Sequence, residues 1–244
     1  FALRQLRDPQ LLPVFETLVN RDAWPLQVHA ALGIAELTRD PSRVPALVQA
    51  AAPEAQEPLV ANAIDHDLVD AAALRAIVVD PAITPMPRLL ALAELIANGA
   101  SIDPFRSILL DLASQEDPHV AILAMTQLAQ AGDGEALPRI QAVLDGLDSR
   151  ARDAARVWLL DVVRNDTLSA LLPWVESFLA QPRLDHSTRA RATLTALRLD
   201  LDRGLEIWRR ELARSTSYAN KVRFGLVLLA AEHPPPSLLC RQYR

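Results

Sequence analysis

The stretch from Leu26 to Ala51, LQVHAALGIAELTRDPSRVPALVQAA, reads as a helix, a tight turn and a second helix. Apolar residues recur at helical spacing through Leu26, Ala30, Gly33, Ile34 and Leu37, and again through Val44, Leu47, Val48 and Ala51. Each segment therefore has one stripe to bury. Between them, Asp40-Pro41 stops one helix and starts the next. Proline lacks the N–H of an interior helical residue and pushes its predecessor out of the helical region, while the Asp side chain can cap the second helix.

Working outward, the same phrase returns along the chain. The first helices of successive pairs start near residues 9, 42, 70, 104, 136, 167 and 203, spaced by 33, 28, 34, 32, 31 and 36. A period that drifts in this way suits helical hairpins whose core positions are constrained and whose turns are not. The pairs are read as Gln10 to Asn20 with Leu26 to Thr38, Arg43 to Ala52 with Glu57 to Val69, Ala71 to Val79 with Met86 to Asn98, and Pro104 to Ser114 with Pro118 to Ala131. Three more complete the array: Ala136 to Leu144 with Arg150 to Arg164, Leu168 to Ala180 with His186 to Leu199, and Gly204 to Arg214 with Tyr218 to Ala231. One hairpin cannot cover its own apolar face, so stacked neighbours must do so. Leu47 and Leu123 are expected inside.

Composition agrees. Hydrophobic residues make up 50% of the 244, aromatics only 5%, and there are seven glycines. Ala and Leu dominate, which favours small-against-large helix packing over strands. The 18 prolines mostly fall between apolar runs. The expected fold is an all-α, right-handed α-α superhelix of about seven antiparallel helix pairs forming one domain over residues 1–244.

The turn and helix from Asp40 to Ala50, DPSRVPALVQA, and the run from Asp117 to Leu144, DPHVAILAMTQLAQAGDGEALPRIQAVL, resemble HEAT repeats, including the shorter bacterial variety seen also in phycobilin lyases. The likeness covers essentially the whole chain and is clearest in the first, fourth and fifth pairs. It implies that the second helix of each pair lines a concave face and the first a convex one. It implies a scaffold and no particular reaction.

The net charge of −5 argues against a protein whose main ligand is nucleic acid. The charge is uneven: residues 1–122 carry 8 Arg against 16 Asp and Glu, and the remainder carries 17 basic against 14 acidic. The one cysteine, Cys240, cannot form an internal disulfide, which favours a reducing, cytoplasmic setting. No apolar run reaches the length of a membrane span. The chain begins at Phe1 inside a helical pattern, from which a missing upstream segment is expected, with an anchor or export signal there left open.

Catalytic constellations are not expected. The five histidines, His29, His66, His119, His186 and His233, fall in or beside second helices of different pairs, too far apart to share a metal. Asp65-His66-Asp67 is read as a solvated helix face whose side chains diverge. Cys240 and Glu232-His233 lack a supporting base or ligand set, and no glycine-rich loop cradles a phosphate. Neither cofactor nor metal is expected.

The basic residues of the later second helices form the candidate binding set. Arg150, Arg152 and Arg156 fall in the fifth pair, Arg189, Arg191 and Arg198 in the sixth, and Lys221 and Arg223 in the seventh. On a concave face they would form a positive stripe for an acidic protein segment, with a phosphate-rich ligand or nucleic acid as the alternative. The competing reading pairs them with Asp148, Asp153, Asp161 and Asp185. Trp158, Trp174 and Trp208 are either core fillers or binding anchors of the same half. The expectation is a monomeric, non-enzymatic scaffold binding a protein partner, and by resemblance alone a lyase-like chaperone for a prosthetic group is a further alternative.

Overall fold

The computed structural model describes residues 2–165, 168–182 and 184–231. Cys240, Glu232-His233 and Pro234-Pro235-Pro236 lie outside them. Every element among the described residues is helical, and no strand occurs. The helices group into two compact units, 1–115 and 116–244.

In the first unit, α1 (Ala2–Gln5) precedes the pairs α2 (Leu12–Leu18) and α3 (Trp24–Thr38), α4 (Val44–Ala50) and α5 (Pro53–Asp65), and α6 (Ala71–Val79) and α7 (Pro85–Ala97), with α8 (Arg106–Leu112) last. The second helices α3, α5 and α7 pack successively in one row, while α4 packs on α6 in another. Leu32, Leu59, Ile77, Leu89 and Leu92 fill the space between. The second unit holds α9 (Pro118–Gln130), α10 (Ala136–Gly146), α11 (Ser149–Asn165), α12 (Leu172–Leu179), α13 (His186–Leu199), α14 (Leu201–Arg214) and α15 (Tyr218–Ala230). Here α11, α13 and α15 are successive neighbours, and α12 and α14 each pack on α13. Leu123 is buried as expected, whereas Leu47 is half-buried against the cluster around Phe15.

Four expected first helices begin instead as 3-10 turns, Pro9–Leu11 before α2, Pro41–Arg43 before α4, Asp103–Phe105 before α8 and Ser169–Leu171 before α12. In the first two, as before α12, a proline stands four residues after the turn begins. Pro13 and Pro45 cannot donate to the carbonyls of Pro9 and Pro41, so Leu12 and Val44 close tighter bonds to those oxygens. Asp8 and Asp40 cap the turns before α2 and α4 through their Oδ1 atoms, at 2.9 and 3.1 Å from the N–H of Gln10 and Ser42. The second pair also differs from expectation, because α5 starts at Pro53 and not at Glu57: proline is well tolerated in a first helical turn.

Glycine matters at two close approaches. A Cβ on Gly33 would stand 2.8 Å from the Phe15 ring, and one on Gly204 would stand 2.4 Å from the Leu197 Cα, so α14 can lie against α13 only with hydrogen at that position.

The repeat is also written in the backbone. Left-handed residues come after successive helices at Arg7 (φ 49°), Arg39 (φ 49°), Asp67 (φ 53°), Gly99 (φ 85°) and Gly132 (φ 84°). Glycine is at ease there, whereas another residue stores roughly 1–2 kcal/mol. Behind Asp67, Gly99 and Gly132 the same paired bonds recur, as in Leu68 N–H to Ala63 O (2.9 Å) and Asp67 N–H to Ile64 O (3.0 Å). The Asp65-His66-Asp67 triplet is thus a helix terminus rather than a helix face, with all three side chains exposed.

Candidate functional site

The arginines singled out in the sequence divide into two groups. The fourth residue of five second helices points back to the end of the helix before it. Gln27 donates to Arg21 O at 2.9 Å and Gln56 to Ala51 O at 3.4 Å. Arg88 Nε donates to Val78 O at 2.8 Å, and Arg152 Nη2 to Leu147 O at 2.8 Å and Asp145 O at 3.3 Å. Arg189 contacts the carbonyls of Leu179 (2.9 Å), Gln181 and Leu184 (3.1 Å). Carbonyls left over at a helix C-terminus carry partial negative charge, and a long cation or amide at this position answers them. The Gln27 and Gln56 carboxamide oxygens also accept from Ala52 N–H (3.0 Å) and Thr84 N–H (2.7 Å), tying each pair to the next. The corresponding residues of α9 and α15 are Ala121 and Lys221.

Arg189 also pairs with the Glu211 carboxylate at 3.1 Å, where the acid side chain is 1% exposed. Arg214 holds the other oxygen at 3.0 Å. This buried node joins α13 to α14 and the end of α12. Burial lowers the Arg88 pKa in the first unit.

Arg156 is likewise engaged. Its guanidinium lies 5.9 Å from the Phe178 ring centroid and within 4.0 Å of both Asp145 and Asp153. Arg191 is more open and meets Asp161 at 3.3 Å. Arg150, Arg198, Lys221 and Arg223 are exposed. The structure therefore gathers Arg152, Arg156 and Arg189 into packing and leaves the outward-facing part of the set on α11, α13 and α15. Trp174 and Trp208 are core: Trp174 stacks on Phe178 at 5.6 Å, and Trp208 Nε1 donates to Phe224 O at 2.7 Å. Trp158 is half-buried with its ring edge-on to His119.

The most open apolar surface of the second unit lies at α14 and α15. Among the described residues its exposed large apolar side chains, Leu201, Tyr218, Leu226 and Leu229, all belong to these two helices. Tyr218, Val222, Leu226 and Leu229 recur at helical spacing along one side of α15. A groove of about 530 Å³ runs beside them between Arg209 and Leu212 of α14 and Lys221, Val222 and Gly225 of α15, with no carboxylate in its lining. The sequence points to Lys221 but to neither Arg209 nor Tyr218. The amphipathic charge pattern of α14 is the signal that could have found Arg209.

No family model, curated protein or solved structure matches the chain. Among the described residues no three His, Cys, Asp or Glu side chains are placed to hold a metal ion, and no helix is long and apolar enough to cross a membrane.

Proposed function

We propose that this protein is a non-enzymatic, HEAT-like interaction scaffold, a right-handed solenoid that binds a protein partner through its basic C-terminal helix pairs. The occupant of the α14–α15 groove is an acidic amphipathic helix of that partner. The single observation that carries the reading is the concentration of the second unit's exposed large apolar side chains, among the described residues, on α14 and α15, beside Arg209 and Lys221. An apolar stripe between cations fits a helix with leucine-type residues on one face and Glu or Asp on its flanks. A packed scaffold supplies such a face on rigid elements, and the Glu211 node behind α14 holds it still.

Binding of a fluorescein-labelled, Glu-rich amphipathic helix, monitored by anisotropy, tests the idea. Saturable binding that weakens about tenfold or more in Lys221→Glu/Leu226→Asp is expected. Equal binding by the variant, or preference for a short DNA duplex over the helix, would overturn it.

A further inference from the structure

The first unit contains a second surface that this reading leaves unused. A cleft of about 520 Å³ opens where α3 and α5 end, with Arg7, Arg39, Glu36, Asp67, His66 and Leu68 among its lining residues. Arg7, Arg39 and Asp67 are the three non-glycine residues of the described chain with left-handed backbone, and all three line this one cleft. Two equivalent positions elsewhere, Gly99 and Gly132, take the relaxed solution. Strain kept at one place and avoided at others marks side chains that the position needs.

The chemistry of those side chains is specific. Glu36 is met by Arg4, whose Nε lies 3.1 Å from Oε2. Arg7 and Arg39 are exposed, and neither has a side-chain ion pair among the described residues. Two guanidinium groups without an ion-pair partner among the described residues therefore border one concavity, beside the exposed imidazole of His66 and the half-buried Leu37 and Leu68. Such a set selects an oxyanion attached to an apolar group, since guanidinium forks match carboxylates and the leucines offer dry surface. Asp67 lies at the same cleft and repels an incoming anion, so the two arginines carry the attraction.

We infer that this cleft binds an acidic peptide segment, seating a carboxylate between Arg7 and Arg39 and an apolar side chain against Leu37 and Leu68. It is a site separate from the α14–α15 groove and stands or falls independently of it. The volume admits a few side chains rather than a folded element.

The test uses the full chain and a labelled peptide, Asp-Glu-Leu-Asp-Glu-Leu, read by anisotropy at low and at moderate salt. Saturable binding that weakens with salt is expected, with affinity falling about tenfold in Arg7→Ala and in Arg39→Gly. Arg39→Gly relieves the left-handed strain, so its melting temperature should be unchanged or raised while binding is lost. That combination separates a binding role from a structural one. Asp67→Asn, which keeps a residue tolerant of this backbone, should tighten binding. Lys221→Glu/Leu226→Asp should bind this peptide like the wild type. The inference fails if the peptide does not bind, if Arg39→Gly retains it, if the α15 variant abolishes it, or if millimolar inorganic phosphate displaces it as readily as free peptide does.

Discussion

Asp185 shows how much one side chain does here. Its Oδ1 accepts from Ser187 N–H at 2.8 Å and Thr188 N–H at 3.0 Å, so it closes the start of α13. Hydrogen bonds from Thr188, side chain first and then backbone, hold its carboxyl below the usual carboxylate range. A depressed pKa means that the stabilisation is present above the unfolded value and is lost as pH falls through the folded one. Asp185→Ala should therefore cost about 0.5–2 kcal/mol at pH 7 in chemical denaturation. The gap to wild type should close as pH falls below about 4. Glu211 is a heavier case. Removing it by Glu211→Ala leaves Arg189 and Arg214 facing each other without their buried partner, and a loss of about 3–5 kcal/mol is expected. Glu206→Ala, on the exposed side of the same helix, should change stability by less than about 0.5 kcal/mol. Such nodes were not legible in the sequence. The arginines were visible, but whether a guanidinium faces solvent or a helix end depends on its place within the helical turn.

At the scale of elements, the helix pairs were largely legible, because Asp-Pro caps, proline boundaries and apolar spacing all act locally. Asp185 and the apolar stripe place His186–Leu199 to the residue. The 3-10 starts of α2 and α4 were not legible, although Pro13 and Pro45 were in plain view. The missing N–H of each alters hydrogen bonding one turn earlier, which a stripe of apolar residues does not report. Close helix contacts were also hidden, since nothing in the letters distinguishes Gly204 from a glycine in a turn. Gly204→Ala should force α14 away from the Leu197 backbone and cost about 1–3 kcal/mol. Gly146→Ala, at the end of α10 with nothing within 4 Å of the added carbon, should be neutral or stabilise by up to about 1 kcal/mol. Thermal melts of the two variants separate crowding from the general cost of replacing glycine.

At the largest scale, helix pairs packed side by side within a unit mean that a defect is felt by neighbours first. Leu32→Ala on α3 should cost about 2–5 kcal/mol. In native-state hydrogen exchange the loss of protection should be largest in α2 and α5, which pack on α3, and smaller in α7, one row further on. Equal loss throughout the first unit would mean that the pairs do not act as separable neighbours. The period drifts from pair to pair because turns absorb added or missing residues without disturbing the buried stripes. One junction has no such slack. Asp200 alone separates α13 from α14: its N–H closes the first helix on Ala196 O, and its carboxylate caps the second through Arg203 N–H. A single residue inserted there would turn α14 by about 100° relative to its seat and swing Trp208 off Phe224. In the described chain this corner is where length variation, tolerated at ordinary surface loops, would be purged by selection, so relatives should differ in length elsewhere and keep this joint fixed.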